Sequence, residues 1–235
     1  MTKSPVIVAI DTQDVEAAKA MAQNIAPEVA MIKLGLEFFM AHGSYGVRDV
    51  TNHGKIPFFL DVKIHDIPNT VAGAVHSVAP LQPSLLTVHA QGGIEMMRMA
   101  KMTADDTANE WGFEPPKLLA VTMLTHLEQS HLDDLHIKQT VADQVKRLAE
   151  MAIQAGVTGC VCSPQEIDIL RAEFGKKLTL VTPGIRPEGT SAHDQKRVMT
   201  PKEALDRGTD YLVIGRPITM SEDPVAAAKA INESL

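Results

Sequence analysis

Short apolar runs and amphipathic stretches alternate along the whole chain. The runs cover residues 6–10, 29–34, 57–62, 85–90, 118–124, 157–162, 178–182 and 211–215. Most are almost continuous in Val, Ile and Leu, the pattern of parallel strands buried on both faces. Helix signals fill the intervals. Asp14 opens VEAAKAMAQNI and Asn69 opens TVAGAVHSVA. Ser163-Pro164-Gln165-Glu166 and Thr200-Pro201-Lys202-Glu203 are capping boxes with proline at the first helical position. Residues 138–155 carry one apolar face through Val141, Val145, Leu148, Ala149 and Ala152. Asp223-Pro224 opens the last helix. Eight such units in 235 residues predict an α/β protein, a single (β/α)8 TIM barrel occupying 1–235 as one domain. The alternative, an open doubly wound sheet, usually has fewer strands. The longest connections are a helix-like stretch near 128–136 and residues 183–197. The second, rich in Pro, Gly and polar residues, reads as a mobile loop after the seventh strand.

Composition narrows the function classes. The hydrophobic share of 45% is too high for a disordered chain. No stretch approaches the roughly 18 apolar residues of a membrane span. The first apolar run meets Asp11 too soon for an export signal, which places the protein in the cytoplasm. Cys160 and Cys162 are too few for a metal centre, and read as buried small apolar side chains. A net charge of −7 with 4% aromatics argues against nucleic-acid binding. It leaves room for a small anionic ligand at a locally positive site. The twelve methionines read as core filler.

Barrel active sites lie at the C-terminal ends of the strands. The polar residues there are Asp11, Lys33, Asp61, Lys63, His89, Thr122, Thr125, Arg186 and Arg216. Asp61 and Lys63 are two apart and so share one side of a strand, with Asp66 three residues further on. Charges inside a barrel are costly unless paired. One ion pair would suit a structural cluster; this alternating row of acids and lysines points to catalysis. Gly215-Arg216 after the eighth strand, with Gly184 and Arg186 after the seventh, stands where barrels often hold phosphate. Glycine admits a backbone N–H to the anion, and arginine offers a forked donor. His89 reads as a hydrogen-bonded packing residue, and His126, His131 and His136 as solvated.

Residues 61–70, DVKIHDIPNT, closely resemble the D-x-K-x-x-D motif of the orotidine 5′-monophosphate decarboxylase family. AID ending at Asp11, IKLG around Lys33, VTPGIRP around Arg186, DQKRVMTP around Gln195 and IGRPI around Arg216 match its bacterial form in order. Val62, Ile64 and Gln91 depart from the usual residues, at uncharged positions. The resemblance implies decarboxylation of orotidine 5′-monophosphate to uridine 5′-monophosphate without a cofactor. It makes Lys63 the proton donor to C6 and sets Asp61 by the substrate carboxylate. Lys33 joins Asp61 to the ribose hydroxyls, and Asp11 binds ribose. Thr125 touches the pyrimidine edge. Arg186, Gln195, Gly215 and Arg216 hold the phosphate under the closing loop. It also implies a homodimer in which Asp66 and Thr70 reach the neighbouring site. Related Mg²⁺-dependent sugar-phosphate enzymes place an acid where this chain has Lys33. A phosphate-ligand binding protein with a merely structural charge cluster is the non-enzymatic alternative.

Overall fold

The structure, a computed structural model, describes residues 4–187 and 199–235. In chain order it contains β1 (Val6–Ile10), α1 (Val15–Ile25), β2 (Met31–Gly35), α2 (Leu36–Val50), β3 (Phe58–Ile64), α3 (Pro68–Val78) and β4 (Leu85–His89). These are followed by α4 (Gly93–Trp111), β5 (Lys117–Val121), α5 (Gln129–Asp134), α6 (Val141–Gln154), β6 (Gly159–Val161), α7 (Ile167–Phe174) and β7 (Thr179–Thr182). The chain ends in α8 (Pro201–Asp206), β8 (Tyr211–Ile214), α9 (Arg216–Thr219) and α10 (Pro224–Glu233). The strands close into a parallel barrel in sequence order, with β8 pairing back to β1. This is the predicted (β/α)8 barrel.

Strand alternation divides the apolar residues into two cores. Val6, Val8 and Ile10 on β1, with their counterparts on the other strands, face outward against the helices. Ile7, Ala9, Met31, Phe59, Leu85, Leu119, Val181 and Val213 face inward and fill the lumen. Full burial of a Val, Leu, Ile or Phe side chain contributes roughly 1.5–3 kcal/mol. The plugged lumen therefore supports the barrel and floors the site above it. On the opposite face Arg171 ties α7 to the barrel. Its guanidinium donates to the carbonyls of Gly175, Leu178 and Gly208 and pairs with Asp210 at 2.5 Å.

The caps largely follow the sequence. The Asp14, Thr140, Thr200 and Asp223 side chains each accept a backbone N–H at a helix start. Ser163 N donates to Glu166 Oε2 at 2.7 Å. One start moves: α3 begins at Pro68 rather than at Asn69, because proline's fixed φ suits the first helical position. Met96 and Met97 are buried as expected, but Met40, Met102 and Met220 are exposed, so methionine is not uniformly core filler. The segment after β7 keeps its two stems together through Arg186 N donating to Met199 O at 3.0 Å. Gln195, and most of the loop expected there, lie outside the described residues.

Candidate active site

A cavity of about 530 Å³ opens among the strand ends. That volume is in the range of small-molecule sites. Its lining brings together Asp11, Lys33, Asp61, Lys63 and Thr125 on one part of the rim, and Arg186, Gly215 and Arg216 on another. Gly184, with φ +79, turns the chain above β7 in a conformation that glycine adopts without strain. Inward-facing apolar residues, including Phe59, Val121 and Val213, form the floor.

The charges form one alternating row. Lys33 Nζ lies 3.4 Å from Asp11 Oδ1 and 3.6 Å from Asp61 Oδ2; Lys63 Nζ lies 2.9 Å from Asp61 Oδ1. Lys33 and Asp61 continue the inward parity of Met31 and Phe59, one layer higher. Lys63 reaches Asp61 by a different route from plain alternation. The β3–β4 register slips between Leu60 and Ile64, and Lys63 takes a left-handed φ of 49°. Asp61 and Lys63 thus meet across a bulge, a device common beside active sites.

Burial alone would raise the Asp61 carboxyl. The charges of Lys33 and Lys63, with hydrogen bonds from Lys63 and Thr87, outweigh it and hold Asp61 below the usual carboxylate range. Arg186 is pushed below its ordinary value by burial and by the neighbouring charge of Arg216. It is buried, donates through Nη1 to Ile185 O, and its Nε has no partner among the described residues. A guanidinium offers a forked pair of donors, which suits an anionic ligand.

Two residues of the site carry no charge and stand out in the structure rather than in the sequence. Gly35 leaves room for Lys33: a Cβ there would lie 3.1 Å from Lys33 Nζ. Thr87, fully buried, donates to Asp61 Oδ1 and accepts from Lys63 N. It shares the inward parity of Leu85, the one available sequence signal. Thr122 instead donates to Val161 O, a structural bond. Asp66 and Thr70 are exposed and do not line the cavity of their own chain; Asp66 accepts the N–H of Ile67 at 2.6 Å. The two cysteines are free and buried. Burial pushes the Cys162 thiol up to about 12, so it is inert although it touches the cavity.

His89 stacks on His65 with ring centroids 5.1 Å apart. Burial first, then the positive charges of His65 and Lys63, push its pKa down to about 4. It is neutral at pH 7, which suits packing rather than charge. The unfolded chain binds this proton near pH 6.5, before the native state does. Stability is therefore full above about pH 6.5 and falls as the pH drops toward about 4. Urea unfolding at pH 7.5 and 4.5 checks this. His89→Gln is expected to lose less stability on acidification than the parent protein; equal losses would refute the assignment.

An eight-stranded α/β barrel with an alternating Asp–Lys row and two arginines around a cavity at its C-terminal mouth has the architecture of a barrel enzyme. The comparisons narrow that class. Residues 4–231 match the Orotidine 5'-phosphate decarboxylase / HUMPS family, and the chain belongs to it. It is 51% identical over 231 residues to an orotidine 5'-phosphate decarboxylase of Rhodospirillum rubrum, covering 98% of this chain and 94% of that one. It is 47% identical over 232 residues to the enzyme of the same name from Paramagnetospirillum magneticum, covering 99% and 98%. The crystal structure of orotidine 5'-phosphate decarboxylase from Lactobacillus acidophilus superposes with a TM-score of 0.85, at 37% identity and 98% coverage of both chains.

Proposed function

We propose that this protein is an orotidine 5'-phosphate decarboxylase, forming uridine 5'-phosphate in pyrimidine nucleotide synthesis with neither metal nor organic cofactor. The observation that carries the reading is the placement of the Asp11–Lys33–Asp61–Lys63 row and the Arg186–Arg216 pair around one cavity. Strands β3 and β7 lie on opposite sides of an eight-stranded barrel, so the cavity between them suits a ligand with a reacting ring at one end and a phosphate at the other.

In this reading the bond from C6 to the carboxylate breaks, carbon dioxide leaves, and the electron pair stays on C6. The Lys63 ammonium stabilises that charge and gives C6 its proton. Asp61, ionised and bonded to Lys63, holds the ammonium in place. Lys33 balances Asp61 and, with Asp11, meets the ribose hydroxyls, while Thr125 meets the pyrimidine edge. Arg186, Gly215, Arg216 and Gln195 hold the phosphate, whose binding energy organises the remote charged row.

The active unit in this reading is a homodimer, each chain forming one domain over 1–235. Asp66, in the β3–α3 turn, and Thr70, in the first turn of α3, reach the neighbouring site. Their exposure supports this, as does the exposed apolar surface of Leu36, Met40 and Ile67 at the same mouth of the barrel. Free cysteines fit a reducing compartment such as the cytoplasm. Among the described residues no helix is long and apolar enough to cross a membrane.

The test is loss of orotidine 5'-phosphate absorbance with purified protein, with and without EDTA. Turnover is expected, and EDTA is expected to leave it unchanged. The Lys33 ammonium stands between Asp11 and Asp61, where a divalent cation would need free carboxylates. No consumption of the nucleotide would overturn the function. Loss with EDTA, restored by Mg²⁺, would overturn the metal-free chemistry.

A further inference from the structure

We propose that Thr87 is a positioning residue for Lys63, fixing both the backbone and the ammonium of that lysine from the neighbouring strand. The inference rests on the reading of Lys63 as the proton donor. Leu60 pairs with Leu86, and pairing resumes at Ile64 with Val88. Four steps along β3 therefore face two along β4, and the extra residues leave the regular hydrogen-bond pattern. Lys63 lies in this stretch, in a left-handed conformation that β-strands and long side chains disfavour. Such a conformation persists only where its surroundings over-determine it.

The Thr87 hydroxyl supplies that determination. Its oxygen accepts Lys63 N–H at 2.9 Å, the group that the broken ladder would otherwise orphan. Its proton goes to Asp61 Oδ1 at 3.1 Å. The same carboxylate oxygen accepts Lys63 Nζ at 2.9 Å. A closed ring results: Lys63 backbone to Thr87, Thr87 to Asp61, Asp61 to Lys63 ammonium. A hydroxyl can donate once while accepting, so one side chain serves both ends of the lysine. Thr87 is fully buried and absent from the cavity lining, so it acts through Lys63 rather than on a ligand.

Valine keeps the shape of threonine and removes both bonds. Thr87→Val is expected to lower kcat for orotidine 5'-phosphate about 100-fold, the scale of a displacement of about 1 Å in a catalytic group, with KM changed by less than about threefold. Thr87→Ser, which keeps the hydroxyl, is expected to restore kcat to within about fivefold of the parent protein. A merely structural role would not give this split or this rescue. If the valine variant does not fold, Thr87→Cys, with a weak donor of similar size, replaces it. Three results overturn the inference: a folded valine or cysteine variant within threefold of the parent kcat, a loss confined to KM, or a folded serine variant as slow as valine. Lys63→Ala is measured beside them. Should it keep turnover, the proton-donor reading fails by itself, and the Lys63→Ala/Thr87→Val double variant decides about Thr87. Valine without effect in that background upholds the link to Lys63; a further 100-fold loss refutes it.

Discussion

Lys63→Ala is expected to lower kcat for orotidine 5'-phosphate by about 10⁴-fold, since in the proposed mechanism the change removes both a proton donor, about 10²–10⁴-fold, and a fixed charge aimed at the developing carbanion, about 10²–10³-fold. The two contributions come from one ammonium and overlap, so their product is an upper bound. The phosphate contacts are untouched, and the affinity for uridine 5'-phosphate is expected to change far less than kcat. Rapid-quench turnover and product titration separate the two quantities. A kcat within tenfold of the parent would remove Lys63 from the chemistry. The same variant tests the shared site. If Asp66 completes the neighbouring cavity, dimers mixed from Lys63→Ala and Asp66→Ala chains contain one site with both residues intact. Mixing two nearly inactive proteins is then expected to restore turnover toward a quarter of the parent level, the random-pairing share of intact sites. No recovery, with chain exchange demonstrated, would place Asp66 in its own chain's service.

The barrel was legible because parallel strands buried on both faces are written as unbroken apolar runs, and each run from 6–10 to 211–215 contributes a strand. Helices with polar caps, such as α1 after Asp14 and α8 after Thr200, were equally legible. The helices α2 and α4 start after Gly35 and Gly92, with no side-chain cap, so they lack a start signal. At α2 that lack has a second cause in the site, since the glycine makes room for the Lys33 ammonium.

The charged half of the site was legible for a related reason. Lys33 and Asp61 stand out because a charge turned toward the barrel interior is costly unless its opposite stands beside it. The path to Lys63 was not legible. Spacing alone put Asp61 and Lys63 on one side of a regular strand, and they do meet, but a bulge brings them together. No local residue type announces it: the sequence around it is apolar and charged, without glycine. Its cause lies on β4, in a threonine that reads as an ordinary strand residue until the neighbouring backbone is in view.

Arg216→Ala carries the second large expected effect, and the state of Arg186 explains its size. Two guanidiniums share one part of the rim, and burial, with the charge of Arg216 added to it, already depresses Arg186. In the proposed reading a phosphate dianion accepts from both guanidinium forks. Losing one forked donor removes about two charge-assisted hydrogen bonds, about 3–4 kcal/mol, hence about 10²–10³-fold in kcat/KM for orotidine 5'-phosphate. Part of the loss is offset, because Arg186 no longer faces a like charge. The discriminating comparison is with orotidine, which lacks the phosphate: kcat/KM for it is expected to change by less than about threefold. That contrast also bears on how the remote phosphate helps. If its binding energy organises the charged row, the loss for the nucleotide appears in kcat as well as in KM. A loss confined to KM would reduce the arginine to a simple anchor, and equal losses for both substrates would take the phosphate away from it altogether.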